Sequence, residues 1–177
     1  REPSTKLAVI ANRWGTPVGP YTSQEFEEQC CASGEIGEIV VSGDHVLDGY
    51  LHGCGDDETK FSVGATIWHR TGDAGRFDEQ GRLWLLGRTN ARIGGIDPFA
   101  VETAARFWPG TQRTALADVD GHPVLAVQGD DGHLEEWCRA AAGLGVTDVR
   151  PVPAIPLDRR HRSKTDYAAL DQLLARR

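Results

Sequence analysis

The sequence predicts an α+β protein of two small units, a β-rich subdomain over residues 1–89 and a compact αββαβα unit over residues 90–177. Three observations predict it. Before Arg88 the apolar residues come in short runs or in alternation, cut by glycine-bearing turns, which is the pattern of strands. After Asn90 helical-period stretches interleave with strands. Between the two, "TNARIGGIDPF" is short, polar and glycine-bearing, the composition of a junction.

In the first unit, "KLAVIA" (residues 6–11) suits a strand, and "GTPVGPYT" breaks the chain into a loop with Gly and Pro. "GEIVVS" (residues 37–42) is the clearest early strand: Val40 and Val41 favour extended backbone and glycines bound it. Residues 52–60 are polar and glycine-rich, an expected exposed loop. "SVGATIWHRTGDAGRFD" and "GRLWLLGR" then form the two arms of a hairpin that turns at Asp-Glu-Gln-Gly. Everything up to Arg88 is thus expected as strands and turns.

In the second unit, "AVETAARFW" fits a helix stopped by Pro109-Gly110. "QRTALADVDGHPVLAVQG" is a hairpin turning at Asp120-Gly121, a dipeptide that tolerates the positive φ angles of a tight turn. "GHLEEWCRAAAGLG" is helical and ends in glycines, and "DVRPVPAIPL" is extended. "SKTDYAALDQLLARR" is an amphipathic helix with Tyr167, Leu170, Leu173 and Leu174 on one stripe.

The totals exclude several function classes. A chain of 177 residues, 40% apolar and 25% charged, is large enough to bury a real core. Its net charge of −7 argues against nucleic acid or anionic membrane as main partner, because a phosphate backbone needs a basic surface. The four cysteines, two of them adjacent at Cys30-Cys31, suit neither a disulfide framework nor zinc-ligand spacing. Reduced thiols and a cytoplasmic setting are the expectation, with no metal site. No apolar run approaches the roughly 20 residues of a transmembrane helix, and no signal peptide opens the chain. The chain starts at Arg1 and contains no methionine, so a fragment or a processed piece is expected.

Two stretches carry chemistry. In "IPLDRRHRSKTDYAAL" (residues 155–170), Ser163 followed by Asp166 is a helix-start signature, which places Lys164 in the first helical turn. There the macrodipole disfavours a cation, and Arg159, Arg160, His161 and Arg162 lie just upstream. A helix N-terminus beside several cations suits an anion, while the plainer alternative is a solvated basic loop. In "RTGDAG", Gly72 and Gly75 permit tight backbone around Asp73. An Asp in such a turn often bonds its own backbone. Alternatively it is an acceptor-only carboxylate for two ribose hydroxyls, with Arg88 reaching the same sugar or its phosphate. Arg88 could equally be a surface arginine at a strand end.

In their fixed order, "GEIVVSGDHVLDGY", "WHRTGDAGRFDEQGRLWLLGR" and the late lysine of "RHRSKTDYAAL" resemble the adenylate-forming superfamily. That superfamily holds acyl-CoA synthetases, peptide-synthetase adenylation domains and luciferases. The wording of "GRLWLLGR" and "DRRHRSK" is most similar to olefin-biosynthesis β-lactone synthetases and fatty-acyl ligases. The resemblance runs from about Lys6 to Leu174 and implies roles residue by residue. Asp73 matches the aspartate that holds the ribose hydroxyls of ATP and of the acyl-adenylate. Arg88 matches the arginine on ribose and phosphate. Asn90 occupies the hinge position, where the family more often has Asp or Lys. Lys164 matches the catalytic lysine that bridges substrate carboxylate and α-phosphate.

ATP, Mg²⁺ and a small-molecule carboxylic acid, with a fatty acid foremost, are the implied reactants. The phosphate loop and the aromatic adenine motif of the family are not in these 177 residues and would lie upstream of Arg1. The expectation is therefore the last β subdomain of the large domain plus the mobile C-terminal lid, inactive without its N-terminal adenylating domain. "ARIGGIDPFAVE" is shorter than the family's usual loop, which lines the thiol tunnel of thioester-forming members. That counts against coenzyme A. Two other classes remain at this level: a non-catalytic binding or regulatory module that keeps the lid fold, and an acidic β-rich interaction domain.

Overall fold

The computed structural model describes residues 4–13, 15–158 and 164–175. The chain divides into two compact units, Arg1–Asn90 and Ala91–Arg177.

The first unit is a five-stranded sheet of β1 (Lys6–Ile10), β2 (Gly37–Ser42), β3 (Lys60–Val63), β4 (Thr66–Phe77) and β5 (Leu83–Arg88). All pairings are antiparallel, in the order β1-β2-β4-β3. Strand β5 pairs with the C-terminal half of β4, beyond the stretch that pairs with β3. The residues expected as one hairpin arm divide at Gly64, whose φ of 56° turns β3 into β4. Beyond β4, Asp78 organises the return. Its carboxylate accepts from the backbone of Gln80 and Arg82, the Arg82 guanidinium and the Trp84 indole. The Trp84 hydrogen bond foremost, joined by those from Arg82 and Gln80, holds that carboxyl well below the usual carboxylate range.

Two expectations for this unit are corrected. A helix, α1 (Ser23–Gln29), occupies a stretch expected to contain only strands and turns. Thr22 and Glu25 form a reciprocal capping box that satisfies its first N–H groups. Phe26 from α1 then packs in a core of Ile10, Val18, Val40, Phe61 and Trp68, its ring centroid 4.7 Å from that of Trp68. The stretch 52–60 is not a plain loop either: it holds part of a 3-10 turn (Leu51–Gly53) and a four-residue helix, α2 (Asp56–Thr59). The Asp56 carboxylate ties α2 back to the Tyr50 N–H.

The second unit runs α3 (Pro98–Ala105), β6 (Thr111–Val119), β7 (His122–Gly129), α4 (Leu134–Ala142), β8 (Asp148–Val152) and α5 (Tyr167–Ala175), the expected αββαβα order. Its sheet, β6-β7-β8, is antiparallel at β6/β7 and parallel at β7/β8. The β6/β7 turn has Asp120 at φ 54° and Gly121 at φ 82°, the two positive angles that an Asp-Gly hairpin needs. Alternation sends neighbouring side chains to opposite faces. Leu116, Leu125 and Val127 pack with Trp137, Val101 and Ala105 from α4 and α3. Ala115, Ala117, Val124 and Ala126 pack with Leu170 and Leu174 of α5. Of the stripe expected on α5, Leu170 and Leu174 are buried and Leu173 packs at the margin. Tyr167 is instead partly exposed, and its hydroxyl donates to Glu102.

Among the described residues, no helix is long and apolar enough to cross a membrane.

Candidate functional site

Three residues of β4 leave the ladder at the site. Val40 pairs with Arg70 and Glu38 with Ala74, so Thr71, Gly72 and Asp73 together oppose Ile39 alone. Such a bulge bends the strand and re-aims its side chains. Gly72 supplies the required φ of 69°, a conformation in which other L-residues are strained. On the other edge of β4, Asp73 sits directly opposite Arg88 of β5.

The two side chains meet: Arg88 Nη1 is 3.1 Å from Asp73 Oδ1 and also donates to the Thr71 carbonyl at 3.0 Å. Asp73 is therefore on a bulged strand, not in an isolated tight turn, and its carboxylate faces a guanidinium across the ladder. The Asp73 side chain is 35% exposed and that of Arg88 66%, so both remain open to a ligand. An exposed pair contributes only about 0.2–1 kcal/mol to stability. Folding alone gives little reason to place it there.

Below this pair lies one that the sequence reading did not single out. Glu38 and Arg70 are fully buried and form a bidentate contact, with Arg70 Nε and Nη2 at 3.0 and 2.7 Å from Glu38 Oε2. Arg70 Nη1 donates to the Thr16 carbonyl, and Glu38 Oε1 accepts from the Gly72 N–H at 3.4 Å. Thr71 Oγ1 donates to the Ile39 carbonyl and accepts from the Asp73 N–H. The signal was an arginine on the inward phase of β4, in step with Trp68 and Ala74. An inward charge requires a partner.

Lys164 lies in the second unit. It does not occupy the first turn of a helix. Its backbone pairs with Asp158, through Asp158 N–H to Lys164 O at 2.9 Å and Lys164 N–H to Asp158 Oδ1 at 3.1 Å. Thr165 bridges Leu157. Helix α5 starts only at Tyr167, with the Asp166 carboxylate accepting from the Ala169 N–H. Asp166 is thus the helix cap, and Lys164 precedes it on an exposed bend. Ser163 and the cations Arg159, Arg160, His161 and Arg162, read as part of an anion site, lie outside the described residues. Among the described residues no ion-pair or hydrogen-bond partner contacts the Lys164 ammonium. Asn90, expected at the hinge, is exposed and lies in the turn after β5, with Thr89 between them.

Other chemistry is sparse. All four cysteines are free, and burial pushes the Cys30 and Cys31 thiols up, away from the nucleophilic thiolate. Among the described residues no group of three or more His, Cys, Asp or Glu side chains could hold a metal ion.

The sheet with its paired Asp73 and Arg88, followed by an αββαβα unit bearing a late lysine, defines a class: the chain belongs to the adenylate-forming superfamily and corresponds to its C-terminal region. Its sequence is 35% identical over 157 residues to the olefin beta-lactone synthetase of Stenotrophomonas maltophilia, covering 75% of this chain and 28% of that protein. It is 34% identical over 122 residues to the 2-succinylbenzoate–CoA ligase of Bacillus licheniformis, covering 62% of this chain and 25% of the ligase. In fold it is similar to ATP-bound MatB from Rhodopseudomonas palustris, with a TM-score of 0.67 at 21% identity over 97% of this chain and 34% of the other. It is similar likewise to the O-succinylbenzoate coenzyme A synthetase of Bacillus subtilis in complex with AMP, with a TM-score of 0.66 at 24% identity over 94% of this chain and 33% of that one. No protein-family profile matches the chain. The chain spans between a quarter and a third of the length of these relatives.

Proposed function

We propose that this chain is the distal β subdomain (residues 1–89) and the mobile lid (residues 90–177) of an ATP-dependent ligase. That ligase activates a small-molecule carboxylic acid, a fatty acid foremost, as its acyl-adenylate with release of pyrophosphate. The acyl pocket and most of the ATP site would come from an N-terminal adenylating domain, without which the chain is inactive. A cytoplasmic enzyme fits the free thiols. The observation that carries the proposal is the Asp73–Arg88 pair on its bulge, a half-open carboxylate beside an open guanidinium.

An ionised carboxylate offers two acceptor oxygens, which suits the two hydroxyls of a ribose. Arg88 would hold Asp73 in orientation and offer its remaining N–H donors to the sugar or its phosphate. Lys164 would act at the reacting atoms. Attack of a carboxylate on the α-phosphate brings two anions together and concentrates charge on the phosphoryl oxygens. An ammonium between them offsets the repulsion and stabilises that charge as it develops. Asn90 would be the pivot about which the lysine is delivered and water excluded. Mg²⁺ bound with ATP would supply further neutralisation of phosphate charge. The stretch 91–102, shorter than the family's usual loop and entering α3 at Pro98, counts against a coenzyme A step.

The test is Asp73→Ala in the intact ligase containing this chain. Loss of a charged hydrogen-bond acceptor should weaken ATP binding by one to two decades, corresponding to roughly 1.5–3 kcal/mol. Unchanged ATP binding by calorimetry would sink the assignment.

A further inference from the structure

Proposals for Asp73 and Arg88 leave open what holds the two in a fixed relation. Both lie at the edge of a bulge, where the ladder is interrupted and strand pairing constrains the backbone least. The peptide at the centre of that bulge is Gly72, and it is held from two sides. On one side its N–H meets Glu38 Oε1 at 3.4 Å, while the other oxygen of Glu38 is occupied by the buried Arg70 fork. On the other side its carbonyl accepts twice from a single residue, Thr89: from the backbone N–H at 2.9 Å and from Oγ1 at 3.2 Å. Thr89 is itself buried, at 6% exposure, and its carbonyl accepts from Asn12 Nδ2 at 3.3 Å.

These contacts join the two strands that carry the candidate site. Gly72 precedes Asp73, and Thr89 follows Arg88. A pair of hydrogen bonds from Thr89 to the Gly72 carbonyl therefore fixes the backbone beside the Asp73–Arg88 pair, one residue from each member. Burial makes the clamp expensive to leave half-made. If the Thr89 hydroxyl were absent, the Gly72 carbonyl would lose one of its two donors, which water does not readily replace. The Glu38–Arg70 jaw is similarly costly, since a buried ion pair gains little over well-packed apolar residues. Its position beneath the bulge gives it a use that stability does not.

We propose that Thr89 is a positioning residue: with Glu38 opposite, it clamps the Gly72 peptide so that Asp73 and Arg88 present a preset acceptor–donor pair to a ribose diol. The proposal rests on the nucleotide reading of Asp73 given above and adds the residue that acts through it. Thr89 touches neither sugar nor phosphate. The same bonds make Thr89 the last anchored backbone position of the first unit, immediately before Asn90.

The experiment compares Thr89→Val, Thr89→Ser and Asp73→Ala, singly and with Thr89→Val combined with Asp73→Ala, in the intact ligase with ATP as the calorimetric probe. Valine keeps the shape and the backbone N–H bond and deletes only the hydroxyl; serine keeps the hydroxyl. Thr89→Val should weaken ATP about three- to tenfold, the loss of one buried hydrogen bond expressed in affinity, and Thr89→Ser should restore wild-type affinity. In the Asp73→Ala background Thr89→Val should change ATP affinity no further, because it acts through Asp73. Amide exchange should speed at least about tenfold at Gly72 and Asp73 in Thr89→Val, with β1 and β3 of the same unit unaffected, as expected for a local rather than global opening. Additive losses in the double variant, unchanged exchange at Gly72 and Asp73, or full ATP affinity in Thr89→Val while Asp73→Ala is impaired would each overturn the clamp. If Asp73→Ala itself leaves ATP binding intact, the nucleotide reading fails and takes this proposal with it.

Discussion

The bulge that carries Asp73 and the bend that carries Lys164 hold their charges in opposite ways. Around Asp73, the Thr71 hydroxyl bonds the Ile39 carbonyl and the Asp73 N–H, the Gly72 backbone is held by Glu38 and Thr89, and the carboxylate faces a guanidinium. Beneath it sits an ion pair with no exposed surface. Around Lys164 the backbone is held by Asp158, and among the described residues nothing holds the ammonium, which belongs to an exposed bend. A group that must recognise one sugar benefits from preset geometry, which lowers the ordering cost of binding. A group that must meet a transient charge needs reach and an unpaired ammonium. The contrast teaches that the anchored charge belongs to the sheet and the exposed one to a bend before α5, so damage to each should have a different signature.

The largest effect expected is on stability at the anchored end. Glu38→Ala leaves the Arg70 guanidinium buried without its carboxylate and should destabilise the first unit by about 3–5 kcal/mol. Urea unfolding followed by the fluorescence of Trp68, in the core of that unit, measures it. A loss below about 1 kcal/mol would erase the contrast, since Asp73 would then rest on a dispensable support.

At the free end the order reverses. Lys164→Ala should leave unfolding within about 0.5 kcal/mol of wild type, as for an exposed side chain with no partner among the described residues. In the intact ligase the same change should lower pyrophosphate release by about 10²–10³, as loss of one preorganised charge-stabilising contact does. Consumption of a supplied acyl-adenylate should be largely spared, because that step does not pass through the meeting of carboxylate and α-phosphate. Equal losses in both assays would make Lys164 a general nucleotide contact and sink the distinction.

A smaller effect concerns Tyr167, at the start of α5, three residues after Lys164. Its hydroxyl donates to Glu102 Oε1 at 2.9 Å, and the same oxygen accepts from the Leu116 N–H at 2.8 Å. Tyr167→Phe should cost about 0.5–1.5 kcal/mol in the second unit. Burial pushes the Glu102 carboxyl up, opposed by its bonds from Leu116 and Tyr167. A raised folded pKa means that the native state binds the proton more tightly than the unfolded state. The stabilisation from that group is present below the ordinary Glu value, about 4.3, and is lost as pH rises through the folded value. Glu102→Gln removes the titration. The stability of wild type relative to this variant should therefore fall between mildly acidic and neutral pH. Urea midpoints across that range check the sign, and a rising difference would contradict it.

Much of the fold was legible because its signals are local. The Asp120-Gly121 hairpin follows from two residues that tolerate positive φ, and the α5 stripe from spacing on one helix. Helix α1 was missed because seven residues with one buried side chain carry no period; its capping box needed Thr22 and Glu25 to be weighed together. Lys164 was misplaced for a similar reason. Both Ser163 and Asp166 can cap a helix, and the pairing of Leu157 with Thr165 and of Asp158 with Lys164 favours Asp166.

By itself, the sequence determined the α+β class and the order of elements, because turn chemistry and side-chain period act over a few residues. It also determined that Asp73 and Arg88 lie on two arms of one hairpin, since the turn at Asp78 sets that register across a short span. Only the tertiary structure decided what supports them. Glu38 meets Arg70 across 32 residues of chain, and Thr89 meets Gly72 across 17, through neighbouring strands. Neither partner is marked by local pattern: Glu38 looks like any strand residue, and Thr89 like any residue of a polar junction. The need for each appears only when the sheet closes and removes water from the Arg70 side chain and the Gly72 peptide, because a buried polar group must then find its partner within the fold.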